Sequence, residues 1–280
     1  MTELNHGRLG SVMELKRATT LSDFDRTTTL QPTERPGEFA VELDQGWSSL
    51  VGVHGGYMCA LAVRGAEALA PDRSVRTLTT SFLHTGSVGP ATLAVRELRR
   101  GRSMSTMNAD LVQDGRLLIT SRLTLLTPRD GVEWSTPVGL DLPPREECVR
   151  IDVGRVSHFE RVDGLLDPHS LPFSGGDRAM VRGYVRPLDG DRIDSSWLAM
   201  ASDWFPPPAF VRLEPPTGGV SIDLTTHIHR PDVVLGDDEW LSGSFEVDTS
   251  SRGLAVEHGV IATGDGTLIT ESFQTRLTPS

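Results

Sequence analysis

Cysteine is scarce: Cys59 and Cys148 are the two thiols in a chain of 280 residues. Two such residues build neither a disulfide framework nor a cysteine metal site. Long apolar runs are missing as well, and none approaches the ~20 residues that a membrane-spanning helix needs, so no membrane partner is expected. No early segment joins a basic start, an apolar core and a small-residue cleavage site, which argues against export and makes the cytoplasm the expected compartment. Basic residues are outnumbered, 27 Lys and Arg against 38 Asp and Glu, for a formal net charge of −11. That balance argues against nucleic acid as a partner. The arginines at Arg96, Arg99, Arg100 and Arg102 read as a solvated strand end. Gly-x-Ser-x-Gly is absent too, which disfavours a serine nucleophile on a sharp strand-to-helix turn.

What is present suits one large domain or two ordinary ones, with 38% hydrophobic and 23% charged residues. The chain is organised around Leu50 to Leu69. His54-Gly55-Gly56 is followed by Met58, Leu61, Ala62, Gly65, Ala66 and Leu69 at helical spacing, which predicts an amphipathic helix rich in small residues. Two glycines before its amino end let backbone or ligand approach the free N–H groups there, where the dipole favours negative charge.

Before this helix, Thr27 to Leu30 and Glu38 to Leu43 read as strands. After it come four alternating segments, Val75 to Leu83, Ala91 to Arg99, Ser103 to Gln113 and Arg116 to Leu126, with Asp114-Gly115 as a hairpin signal. Proline-rich residues 129–150 read as a linker. The plan then repeats: a short strand at Gly183 to Pro187, a helix over Ser195 to Trp204 stopped by Pro206, Pro207 and Pro208, and strands at Val220 to His229, Trp240 to Thr249, Gly253 to Thr263 and Thr267 to Leu277. Asp265-Gly266 occupies the place of Asp114-Gly115. A duplicated helix-plus-sheet unit is the economical explanation. The expected division is a flexible extension (1–20), a first unit (21–128), the linker (129–150) and a second unit (151–280).

Ordered motifs in both halves carry a resemblance. In the first they are Val53-His-Gly-Gly-Tyr57, Ser81-Phe-Leu-His-Thr-Gly86 and Leu98-Arg-Arg-Gly-Arg-Ser103. In the second they are Ala201-Ser-Asp203, Val220-Ser-Ile-Asp223, His229-Arg-Pro231, Ser251-Arg-Gly253 and Ser272-Phe-Gln274. Together they resemble the acyl-CoA thioesterases of the double-hotdog type. That resemblance implies an α+β double hotdog, two antiparallel sheets each wrapping a central helix, with acyl-CoA as substrate. It also implies that Asp203, Ser221 and Gln274 are catalytic, while apolar Val63 stands where related single-unit enzymes carry the acid. Threonine is usual in bacterial relatives where Ser221 stands, so the hydroxyl is kept and a methyl is lost.

Those residue types suit thioester hydrolysis. A carboxylate at Asp203 accepts a proton from water, an amide at Gln274 both donates and accepts, and the Ser221 hydroxyl holds either in place. His54, Gly55, Gly56 and Tyr57 are the candidate substrate-binding residues, the glycine amides serving a developing oxyanion. Two other readings stay open: a non-catalytic acyl-thioester-binding protein, and an enoyl-thioester hydratase or dehydratase. The latter wants an Asp–His pair near a helix start, and no aspartate suitably close to His54 is found. Cys59 reads as core, and His227 and His229 as solvated strand residues without a third metal ligand. No metal or organic cofactor is expected, coenzyme A entering only as part of the substrate. Further homo-oligomerisation is compatible with the chain.

Overall fold

The computed structural model describes residues 22–151, 156–188, 192–213 and 219–278. The extension expected over 1–20 lies outside them. The first half contains helix α1 (Asp23–Thr27), strands β1 (Gln31–Pro32) and β2 (Glu38–Leu43), helix α2 (Gly55–Leu69) and strands β3 (Ser74–Phe82), β4 (Gly89–Arg100), β5 (Met104–Gln113) and β6 (Arg116–Leu126). The second contains β7 (Val162–Leu166), β8 (Met180–Pro187), β9 (Ile193–Asp194), helix α3 (Ser195–Ala201), β10 (Val220–Ile228), β11 (Asp232–Val233), β12 (Leu241–Glu246), β13 (Ser250–Ser251), β14 (Leu254–Ala262) and β15 (Leu268–Leu277). Residues 127–144 between the halves form no helix or strand.

One strand expectation fails, and one strand went unread, for local reasons. Thr27 to Leu30 is not a strand, because Ser22 caps a short helix through Asp25 N and Thr27 ends it by donating its hydroxyl to Asp23 O. β7 escapes a search for alternation because it is buried on both faces.

Among the described residues the expected pair of sheets is one continuous antiparallel sheet of 13 strands, in the order β1-β2-β4-β5-β6-β3-β10-β15-β14-β12-β8-β7 with β13 on β14. The join is β3 against β10, Thr79 opposite Thr225, with the Thr225 hydroxyl donating to Thr79 Oγ1 at 3.2 Å. Without this pairing each half would leave a long edge of unpaired backbone donors and acceptors.

Helix α2 packs against β3, β4, β5 and β6 on one side and against α3 on the other. It is buried nearly all round, from Gly56 through Val63 and again at Gly65 and Ala66. Helix α3 has 7 residues against 15 in α2, so it fills less of its half. Trp204, Phe205 and Phe245 occupy the remainder as a run of touching rings, Trp204 to Phe205 at 5.1 Å and Phe205 to Phe245 at 4.7 Å. Inward-facing Gly164, Gly243 and Gly259 leave space for those rings, which a Cβ at any of the three would strike. Among the described residues no helix is long and apolar enough to cross a membrane.

Candidate active site

The two helices meet where α3 ends and α2 begins. Asp203, expected on the helix, sits in the turn after it. Pro206 disfavours helical backbone at Phe205, so the helix must stop before that point. The Ser202 hydroxyl folds back onto Leu198 O at 2.9 Å, and Asp203 N donates to Met200 O at 3.1 Å. The turn carries the Asp203 carboxylate to the first turn of α2, where backbone N–H groups lack intrahelical partners. There Gly56 N donates to Asp203 Oδ2 at 2.8 Å.

Both glycines are required by this approach. A Cβ on Gly56 would lie 2.6 Å from Met200 O and 2.9 Å from Asp203 Cβ. One on Gly55 would lie 2.8 Å from Asp203 Oδ2 and 2.9 Å from the Phe82 ring, closing the space between them.

Strands β10 and β15 complete the cluster. Along β15, Ser272, Gln274 and Arg276 face inward while Phe273 and Leu277 face out, a strand with its polar side inside. On β10 the register skips a residue between Ser221 and Asp223, so Leu224 opposes Gln274 while Ser221 opposes Arg276. This bulge turns Ser221 onto the inner face, which strict alternation from Leu224 would deny it.

Each polar atom can be accounted for. Asp203 Oδ1 accepts from Gln274 Nε2 at 2.8 Å and from Arg276 Nη2 at 3.2 Å. Gln274 Nε2 also donates to Ser221 Oγ at 2.7 Å, and Gln274 Oε1 accepts from Arg276 Nη2 at 2.7 Å. Ser221 Oγ accepts a second bond from Arg276 Nη1 at 3.0 Å. Both Ser221 lone pairs are therefore filled, and its O–H is left as a donor. Both Gln274 N–H groups are spent inside the cluster. Asp203 Oδ2, with Gly56 N, retains capacity for another donor.

The surroundings are buried and charged. Asp203, Gln274, Arg276 and Glu257 on β14 are all buried. Arg276 Nε donates to Glu257 Oε2 at 2.9 Å. Burial disfavours the Arg276 cation, but Glu257 and then Asp203 outweigh it and raise its pKa. Burial pushes the Glu257 carboxyl up against the pull of Arg276. Arg276 and Glu257 went unread in the sequence; the signal was the reversed polarity of Phe273-Gln-Thr-Arg-Leu277.

His54 caps α2 by accepting from Tyr57 N at 3.3 Å through Nδ1, so its proton sits on Nε2 and is donated to the Asp203 main-chain oxygen at 2.9 Å. His54 Nε2 also lies 3.5 Å from Asp203 Oδ2, which corrects the expectation of no nearby aspartate. Both ring nitrogens are engaged, so the pair has no free nitrogen for proton exchange with a substrate. Burial lowers the His54 pKa despite Asp203. His158 stacks on it at 4.2 Å and is lowered further, by burial and by His54 itself.

Two sequence expectations are corrected. Tyr57 is not at the site: it is fully buried, its ring stacks on Trp47 at 5.3 Å and its hydroxyl donates to Thr27 O at 2.6 Å. The Gly56 amide is spent on Asp203 and is no oxyanion donor; among the described residues no acceptor receives the Gly55 N–H. Cys59 is core, donating to Thr80 Oγ1 at 3.5 Å, and burial pushes its thiol up to about 12. Among the described residues no group of three or more His, Cys, Asp or Glu side chains is placed to hold a metal ion.

Residues 43–126 match the acyl-CoA thioesterase N-terminal domain and residues 130–278 the acyl-CoA thioesterase C-terminal domain, the second match alone spanning more than half of the chain. The chain belongs to the acyl-CoA thioesterase family. Within these matches His54, Gly55 and Gly56 fall in the N-terminal domain, and Asp203, Ser221, Glu257, Gln274 and Arg276 in the C-terminal domain. This acyl-CoA thioesterase family member is similar over 93% of its length to 98% of a candidate thioesterase II from Thermobifida fusca, at 25% identity and TM-score 0.81. A protein of unknown function with a hotdog fold, from Alicyclobacillus acidocaldarius, matches at TM-score 0.82 and 20% identity over 93% of this chain and 99% of that one, a likeness of fold alone. An uncharacterized protein of Mycobacterium tuberculosis is 34% identical over 127 residues, 40% of this chain and 44% of that protein. The match thus spans less than half the length of the curated relatives.

Proposed function

We propose that this protein hydrolyses acyl-CoA thioesters to a free acid and coenzyme A, with Asp203 as general base and Ser221 and Gln274 beside it. Two hotdog units, over 21–128 and 151–280 and joined by the linker 129–150, form the scaffold, the first supplying the mouth of α2 and the second the carboxylate. The observation that carries the reading is the hydrogen-bond account of Asp203. Oδ1 is filled by Gln274 and Arg276, and Oδ2 holds Gly56 N with room for one more donor.

In this mechanism a water donates to Asp203 Oδ2 and attacks the thioester carbonyl carbon while its proton passes to the carboxylate. The carbonyl oxygen takes the negative charge and is met by the Ser221 O–H and the Gly55 N–H, donors fixed before the charge develops. The tetrahedral species collapses, the C–S bond breaks, and the proton on Asp203 goes to the departing thiolate. Gln274, with both N–H groups spent, aligns Asp203 and Ser221 rather than the water. Leu50 and Val51 before α2, and Leu83 after Phe82, are exposed apolar residues suited to meet the acyl chain.

The test is release of free thiol from a panel of acyl-CoA esters of different chain length. Turnover by the wild type that disappears in Asp203→Asn supports the reading. Tight acyl-CoA binding with no turnover on any ester would replace it with a binding role.

A further inference from the structure

Arg276 touches every member of the cluster. Its Nη2 reaches both Asp203 Oδ1 and Gln274 Oε1, its Nη1 reaches Ser221 Oγ, and its Nε is held by Glu257. We propose that Arg276, with Glu257 as its counter-ion, is the positioning residue of this site: it locks the Gln274 amide in one orientation and turns the Ser221 hydroxyl into an obligate donor. The inference rests on the hydrolytic reading for its consequences, and on the hydrogen-bond geometry alone for the placement.

Two elementary facts carry it. An amide can turn over, exchanging its oxygen and nitrogen, unless its partners differ in kind. Arg276 has no acceptor, so only Gln274 Oε1 can face it, and the N–H groups must then face Asp203 and Ser221. A hydroxyl with one filled lone pair can still accept from a water or a ligand. The second bond from Arg276 removes that choice and leaves the hydrogen of Ser221 to donate. A neutral side chain at 276 would release both constraints. Lysine would keep the charge but not the fork that serves three partners together.

Among the described residues the charged and titratable groups around Asp203 are few and come from four elements. Arg276 lies on β15 and Glu257 on β14, His54 and Cys59 belong to the start of α2, and His158 stands behind His54 in the turn Ser157–Arg161. Of these, the nearest cation is Arg276 at 3.2 Å. Removing it favours the protonated form of Asp203, so the acid limb of the rate profile must move to higher pH. Removing Glu257 alone must move it the opposite way.

Arg276→Lys, Glu257→Gln and the double variant Arg276→Gln/Glu257→Gln, each in the full chain, make the test. The double variant avoids leaving one buried charge unpaired. Expected is a kcat about a hundredfold lower in Arg276→Lys, with KM within about threefold, because misplacement by about 1 Å falls on the chemical step. The acid limb of kcat/KM should rise in the double variant and fall in Glu257→Gln. A structural role would lower the melting temperature of these variants without moving that limb. Folded variants with wild-type kcat and an unmoved limb would overturn the proposal. Should the wild type hydrolyse no thioester, carbon-13 titration of the Asp203 carboxylate reads the same relation. An upward displacement in the double variant then upholds the placement while hydrolysis fails, and no displacement overturns the placement itself.

Discussion

The Gly56 amide of the first half donates to the Asp203 carboxylate of the second at 2.8 Å, across 147 positions of sequence. This bond joins the free end of one helix to the acid that follows the other, and the halves need each other at that point. A carboxylate at a helix N-terminus is met by unpaired N–H groups and the positive end of the dipole. Stability and chemistry therefore meet in the same two residues.

The first expectation concerns that contact. Gly56→Ala puts a methyl group 2.6 Å from Met200 O, a backbone atom that cannot swing away. Overpacking of this kind costs about 1–3 kcal/mol. Urea denaturation should give a loss of that size for Gly56→Ala and almost none for Gly131→Ala, where nothing lies within 4 Å. Equal stability of the two variants would show that α3 does not press on α2 as described.

Ser221 provides the second. With both lone pairs filled by Gln274 and Arg276, its hydroxyl acts only by donating. Ser221→Thr keeps the donor and should retain kcat within about threefold, whereas Ser221→Ala should lose about 10²–10³, the usual effect of one oxyanion donor. Steady-state thiol release separates them. Ser221→Ala with full kcat would deny the hydroxyl a part in the transition state.

The stacked histidines predict a direction for acid sensitivity. His54 and His158 are both held below their ordinary value of 6.5, chiefly by burial. In the unfolded chain each takes up a proton near 6.5, while the folded form resists. Folding stability should thus decline as the pH falls below about 6.5, because the unfolded state then binds more protons. Glu257, raised by burial, works in the opposite sense, so the comparison is best made between wild type and His158→Phe, where its effect cancels. Thermal melts at pH 7.5 and 5.5 should show a smaller acid-induced drop in His158→Phe. An equal drop would place the sensitivity elsewhere.

Local pattern made much of the sheet legible. Period-two alternation located β2 at Glu38–Leu43 and β6 at Arg116–Leu126, and the Asp114-Gly115 turn takes positive φ at both residues, as a tight hairpin demands. The helix that His54 caps was equally plain from its spacing, although it starts at Gly55 and so includes both glycines. Long-range features were not. Nothing local announces that β3 and β10 pair edge to edge, since an edge strand and a central one can carry the same alternation. The bulge beside Ile222 reverses the face of Ser221, and a strand read by strict alternation cannot contain it. Arg276 reads as a solvent-facing charge until Glu257, 19 positions away, is seen to pair with it. Asp203, Ser221 and Gln274 entered through family resemblance, for no periodicity in the chain singles them out.

The central claim is that one carboxylate, delivered by the second half to the mouth of the first half's helix, activates water against a thioester. Asp203→Asn tests it most directly, since the amide preserves size; its oxygen meets the Gln274 and Arg276 donors as Oδ1 does, and its NH2 then leaves no acceptor for the proton of water. Thiol release from the best acyl-CoA substrate, measured with wild type and variant at equal folded concentration, should show kcat falling about 10²–10⁴-fold, the range of a lost general base, with KM little changed. A folded Asp203→Asn protein that turns over at the wild-type rate would contradict the account.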